Sequence, residues 1–129
     1  MSIKSLVAIL IVKDKCVLAE VRKSNDPFGA GCTWIPGGHV EPNETEERAF
    51  LRETKEELDI EPLNYYALCS FPWEKDKKQY TVQYFVCTKW KGKIKKKEAA
   101  ELIWISQKEI EKLDEEVDRQ AFKKYLEKM

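Results

Sequence analysis

Three glutamates, Glu53, Glu56 and Glu57, stand at positions i, i+3 and i+4. On a helix, at about 100° per residue, they project within roughly 100° of one another on one face. Phe50, Thr54 and Leu58 form the adjoining stripe, with Leu51 at its far edge. The carboxylates therefore run along the border between core and solvent, where a metal can be gripped with positions left for water and substrate. Like charges at this spacing destabilise a helix, and a divalent cation removes that cost. Hard carboxylate oxygens suit Mg²⁺ or Mn²⁺, which keep waters and bind substrate phosphates. Taken alone, the triplet also fits a solvated acidic face on which Arg52 simply pairs with Glu56.

The flanking residues favour the metal. Gly38, five residues, Glu44, seven residues and then Arg52-Glu53-Thr54-Lys55-Glu56-Glu57-Leu58-Asp59-Ile60 resemble the signature of the Nudix hydrolases, G-x5-E-x7-R-E-U-x-E-E-x-G-U, where U is bulky and apolar. Thr54 departs mildly at an apolar position, and Asp59 replaces the second glycine. A glycine after a helix supplies a left-handed C-terminal conformation. Aspartate tolerates that conformation better than most residues, so the helix is expected to end there all the same.

The resemblance implies the Nudix fold, an α/β class α/β/α sandwich around a mixed β-sheet, with residues 1–129 forming one domain. It implies that Glu53, Glu56 and Glu57 ligate Mg²⁺ or Mn²⁺, joined by the carbonyl oxygen of Gly38. Arg52 would orient a glutamate, and Glu44 would secure the loop before the helix. The implied reaction is attack of water on a phosphorus of a nucleoside diphosphate linked to another group, with metal lowering the pKa of bound water. The catalytic set is then Arg52, Glu53, Glu56 and Glu57, with the general base either Glu53 itself or one of Glu98 and Glu101.

Upstream, Gly29-Ala30-Gly31-Cys32-Thr33-Trp34-Ile35-Pro36-Gly37-Gly38-His39-Val40-Glu41 is similar to a stretch of the MutT-like, nucleoside triphosphate diphosphatase branch. This implies hydrolysis of a nucleoside triphosphate, a modified or damaged one included, to the monophosphate and pyrophosphate. Substrate contacts would come from Arg22, Phe28, Trp34, Gly37 and Gly38, Arg22 holding a phosphate. Phe28, Trp34, Phe71 and Trp73 are the aromatics available to stack on a base, and His39 is read as structural or weakly substrate-contacting rather than as a metal ligand. Two alternatives stay open: a pyrophosphatase of ADP-ribose or another nucleotide sugar, and a non-catalytic nucleotide-binding regulatory module.

The elements that must position these residues are legible in outline. Ile3 to Val12 is an apolar run rich in β-branched residues, as in a strand buried on both faces. Cys16 to Arg22 reads as its hairpin partner and Ser24 to Gly31 as a loop. Thr33 to Pro36 reads as a short strand ending at Gly37-Gly38. A helix is expected over Glu46 to Leu58, capped by Thr45, with Pro62 closing the region. Strands over Tyr65 to Trp73 and Gln79 to Trp90 flank a charged turn at Glu74 to Lys78. A last strand covers Leu102 to Ile105. Leu113, Val117, Ala121, Phe122, Tyr125 and Leu126 then space out a C-terminal helix.

Composition narrows the function classes. Lysine and arginine total 23, as do aspartate and glutamate, which argues against a nucleic-acid-coating or membrane-surface protein. The expected partner is a small-molecule nucleotide, with a homodimer left open by the resemblance. The longest apolar run, Leu6 to Val12, is far too short to span a bilayer, so the expected location is cytoplasmic. Cys16, Cys32, Cys69 and Cys87 form no CxxC pair, which speaks against a zinc site. His39 is the only histidine, leaving little material for a histidine-based triad.

Overall fold

The computed structural model describes residues 3–97 and 99–129. Seven strands are assigned: β1 (Lys4–Lys13), β2 (Cys16–Val21), β3 (Thr33–Trp34), β4 (Gly37–His39), β5 (Glu61–Lys75), β6 (Lys78–Lys91) and β7 (Glu101–Ile105). Helix α1 spans Glu46–Leu58 and α2 spans Glu116–Glu127, preceded by a 3₁₀ segment at Gln107–Lys112. The main path of the sheet runs β3-β2-β1-β6-β5, with β4 paired to β1 and β7 to β2. Only β1 and β6 run parallel, over Lys4–Ile11 against Tyr80–Cys87. The other pairings are antiparallel, so the sheet is mixed as expected.

The uninterrupted apolar run of β1 is explained by burial on both faces. Leu6, Ala8, Leu10 and Val12 pack in a core with Ala121 and Phe122 of α2. Val7, Ile9 and Ile11 pack on the opposite side with Ala49, Phe50 and Leu58 of α1. Strand β6 divides in the same way, Tyr80, Val82, Tyr84 and Val86 facing α2 while Phe85 and Cys87 face α1. The alternation of period two thus feeds two cores rather than one core and solvent.

Several boundaries shift from the sequence reading. Pro62 does not close the helical region but sits inside β5, at the end of the sheet path, where a missing N–H is tolerated. The charged turn shrinks to Asp76-Lys77, both with positive φ of 51° and 66°, the geometry that matches hairpin twist. Gly37-Gly38 do not merely end a strand; with His39 they form β4, facing Ala8, Val7 and Leu6. A Cβ on Gly37 would run into the Val7 carbonyl oxygen, so the close pairing of β4 on β1 requires glycine there. The 3₁₀ segment had no periodic signature, and it delays α2 to Glu116.

Candidate functional site

Helix α1 is fixed at both ends. Thr45 caps it, its Oγ1 accepting the Arg48 N–H at 3.1 Å. At the other end Asp59 adopts φ 58° and ψ 36°, and its N–H closes on the Lys55 carbonyl. The aspartate that replaces the motif glycine therefore takes the left-handed conformation. It also pairs with Lys55 at 3.0 Å, which holds its carboxyl below the usual range. Thr54, the other departure, is wholly buried and donates its hydroxyl to the Phe50 carbonyl one turn back at 2.6 Å. Its polar atom is satisfied inside the helix, leaving the methyl for the core.

Arg52 ties the helix to the loop before it. Its Nε and Nη2 donate to the two oxygens of Glu44, each at 2.8 Å. Nη2 also reaches the His39 carbonyl at 2.8 Å, and Nη1 reaches Glu56 at 3.2 Å. Glu44 in turn accepts the Glu41 N–H at 2.9 Å. The bond from Arg52, with that backbone N–H, pulls the Glu44 carboxyl down to about 2. This bidentate clamp joins the end of β4, the connecting loop and the middle of α1 into one unit.

Glu53 projects from that unit toward β4. It is 8% exposed, and a Cβ on Gly38 would overlap its carboxylate. Burial pushes its carboxyl up to about 7, opposed by Arg52 and reinforced by the neighbouring Glu57 and Glu56. Glu53, Glu56, Glu57 and Gly38 line a cleft of ≈ 370 Å³, within the size range of ligand sites. Among the described residues, no three His, Cys, Asp or Glu side chains form a ready metal cage. Arg52 holds Glu56 and lies 3.6 Å from Glu53. The donor set suits a hard divalent cation, since it offers carboxylate oxygens beside a glycine whose missing Cβ leaves room for the Glu53 carboxylate.

The cleft is also lined by aromatic side chains. Phe28 lies 5.6 Å from Trp34 and 6.1 Å from Trp73, centroid to centroid. The indole N–H of Trp34 donates to Glu20 at 3.0 Å, and that of Trp73 to Glu115 at 2.9 Å. Asp118, on the first turn of α2, accepts the Tyr84 hydroxyl at 2.6 Å and the Ile35 N–H at 3.1 Å. Burial raises the Asp118 carboxyl to about 7 and drives the Tyr84 hydroxyl further up.

The sequence candidates separate in space. Arg22, Phe28, Trp34, Gly37, Gly38, Glu53, Glu56 and Glu57 meet in the cleft. Arg52 braces it from behind. Arg22 is engaged by two carboxylates, donating to Glu20 at 2.8 Å and Asp26 at 2.6 Å. Phe71 packs edge-on against Tyr84 at 6.1 Å and is not among the cleft residues. Glu101 opens β7 opposite Val21, exposed and outside the cleft lining. Glu98 lies outside the described residues. Sequence reasoning missed Glu20 and Asp118. Both carried a signal, since each interrupts an apolar pattern: Glu20 between Ala19 and Val21, Asp118 beside Val117 and one turn before Ala121 and Phe122.

Comparison with known proteins agrees with this construction. The model of the NUDIX domain family matches residues 3–125. An 8-oxo-dGTP diphosphatase of Proteus vulgaris is 34% identical over 66 residues, 51% of this chain and 59% of that protein. An ADP-ribose pyrophosphatase of Methanocaldococcus jannaschii is 45% identical over 53 residues, 41% of this chain and 30% of that protein. The chain thus spans less than two thirds of either relative in these matches. The solution structure of the E. coli ORF135 protein superposes with a TM-score of 0.83 at 26% identity, covering 98% of this chain and 91% of that one. With the family match spanning nearly its whole length, and its fold shared with a solved relative, the chain belongs to the Nudix family.

Proposed function

We propose that the protein hydrolyses a nucleoside triphosphate to the monophosphate and pyrophosphate, with Mg²⁺ or Mn²⁺. The observation that carries this reading is one cleft lined both by the α1 carboxylates and by an aromatic cluster. Glu53, Glu56 and Glu57 make up the former, and Phe28, Trp34 and Trp73 the latter. A phosphate chain belongs with the former and a base with the latter. Nudix hydrolases generally use divalent metal ions. Such an ion would be held by Glu53, Glu56, Glu57 and the Gly38 carbonyl, and would offset phosphate charge and acidify bound water.

The chain's own residues contribute positioning and proton handling. Arg52 fixes the rotamers on α1 through Glu44 and His39. Glu53, lining the cleft against β4, is placed to take a proton from the attacking water, with the bound cation setting its proton affinity. Phe28 and the two tryptophans supply the stacking surface. The names of the matched 8-oxo-dGTP diphosphatases add support for a triphosphate substrate.

A second reading, cleavage of ADP-ribose, is favoured by the 45% identity to the M. jannaschii protein of that activity. A nucleotide panel with Mg²⁺, scored for pyrophosphate, phosphate and nucleoside monophosphate, separates the two. Pyrophosphate with monophosphate from a triphosphate is the expected product pair. Release of AMP from ADP-ribose alone would replace the first reading by the second. Full activity in both Glu56→Gln and Glu57→Gln would remove the metal-site assignment.

A further inference from the structure

The aromatic part of the cleft contains an acceptor that the protein leaves unused. Glu20, on β2, is only 4% exposed. Its Oε1 takes two hydrogen bonds, from Trp34 Nε1 at 3.0 Å and Arg22 Nη1 at 2.8 Å. Its Oε2 takes none from the described residues. Among those residues, no fully buried side-chain oxygen lacks a partner, so Oε2 must retain an opening. That opening is the cleft, which Glu20 lines.

The surroundings sharpen what Oε2 can read. Asp118 has both oxygens engaged, one by Tyr84 and the other by Ile35. The indole N–H groups of Trp34 and Trp73 are taken by Glu20 and Glu115. The two tryptophans therefore offer ring surface to a ligand and no donor. A base entering the cleft meets Glu20, where Arg22 favours the carboxylate against the upward push of burial. Arg22 and Trp34 hold that carboxylate in one orientation, so it is preorganised rather than mobile. A carboxylate oxygen that loses the water of the cleft to a bound base without gaining a donor is costly, and an amino group on the ligand would remove that cost.

We propose that Glu20 is a specificity-determining residue, its second carboxylate oxygen accepting a hydrogen bond from the amino group of an amino-bearing nucleobase. The inference rests on the reading of the cleft as a nucleotide site and adds which bases it favours. A hydrogen bond to a charged acceptor is worth about ten- to a hundredfold in discrimination. Against a base lacking the amino group, the acceptor stays unpaired.

The test uses substrate pairs that differ only in that group: dGTP and dITP, dATP and purine deoxyribonucleoside triphosphate, and dCTP and its 4-deamino analogue. The wild-type protein should favour the amino-bearing member of at least one pair by tenfold or more in kcat/KM. Glu20→Gln keeps an oxygen for Trp34 and Arg22 but turns an amide N–H₂ toward the cleft. It should reduce that preference to within about twofold, chiefly through KM. Equal handling of all three pairs by the wild type overturns the proposal without any variant. An equal fall for both members in Glu20→Gln, preference intact, also overturns it and leaves Glu20 a purely structural brace. Metal-free calorimetry of the corresponding monophosphates separates this idea from the proposed reaction. No triphosphate turnover, with a Glu20-dependent preference for the amino-bearing monophosphate, sinks the reaction and sustains the specificity role. No preference among the monophosphates in that case sinks both.

Discussion

Replacing Asp118 by Asn should make the protein less sensitive to pH, and the structure sets the size of the effect. Asp118 is 6% exposed, and burial raises its carboxyl from 3.8 to about 7. Between those two pH values the unfolded chain has lost this proton while the folded chain keeps it. The folded state binds the extra proton, so wild-type stability falls as pH rises through this window. At 1.36 kcal/mol per pH unit the accumulated loss is on the order of 4 kcal/mol by pH 7 and above. Relaxation and water entry around an ionised Asp118 reduce that ceiling. Asparagine cannot ionise, and it keeps an oxygen for only one of the two donors, Tyr84 O–H or Ile35 N–H, a cost that does not vary with pH. Urea denaturation of both proteins at pH 4, 5, 6, 7 and 8 isolates the difference, because the other titrating groups are common to both. At pH 4 the variant should be less stable by that fixed cost alone. From there it should gain steadily on the wild type to pH 7, by between about 2 and 4 kcal/mol, and then level off. A constant offset across the series, or a variant that loses ground as pH rises, would refute the account of Asp118 as a carboxyl kept neutral by burial.

Asp59→Gly should raise stability by about 0.5–1 kcal/mol, since glycine removes the left-handed penalty and the lost ion pair to Lys55 is largely solvent-screened; a fall in urea midpoint would show that the pair dominates. Gly38→Ala should keep near-native stability only if Glu53 swings out of its pocket, and that displacement should lower kcat by about a hundredfold. Unchanged kcat would mean the Glu53 carboxylate need not sit against β4. Adding EDTA should abolish turnover and Mg²⁺ or Mn²⁺ should restore it, which steady-state assays with back-titrated metal will read directly. Arg52→Gln should leave binding of free nucleoside largely intact while lowering kcat, because Arg52 touches Glu44, His39 and Glu56 but does not line the cleft. A change confined to nucleoside affinity would contradict its role as a brace.

The parts of this fold that were legible are those where one residue type serves one physical need. The β1 run, the period-two pattern of β6 and the Thr45 cap each follow from burial or an orphaned N–H group. Strand β4 was not legible, because Gly37-Gly38-His39 has no strand-forming character. It pairs with β1 only because Gly37 lacks the Cβ that would strike the Val7 carbonyl. Pro62 misled in the opposite direction, since its cost as a breaker vanishes at an edge position. The same distinction explains the site. The α1 carboxylates could be placed from spacing alone, since one helix fixes their mutual geometry. The aromatic cluster could not, because Phe28, Trp34 and Trp73 come from the loop after β2, from β3 and from β5, and converge only once the sheet forms.

Glu20 and Asp118 show what a charged residue inside an apolar pattern can signify. Each was passed over because the surrounding run already accounted for a strand or a helix. Yet a buried carboxylate is costly unless donors meet it, so an acid in such a place announces that donors have been gathered around it. For Asp118 they are Tyr84 and the Ile35 backbone, and they use both oxygens. For Glu20 they are Trp34 and Arg22, and they use only one. Two acids with the same sequence signature thus divide in the folded chain. Asp118 joins α2 to the sheet, and Glu20 keeps an oxygen for whatever enters the cleft.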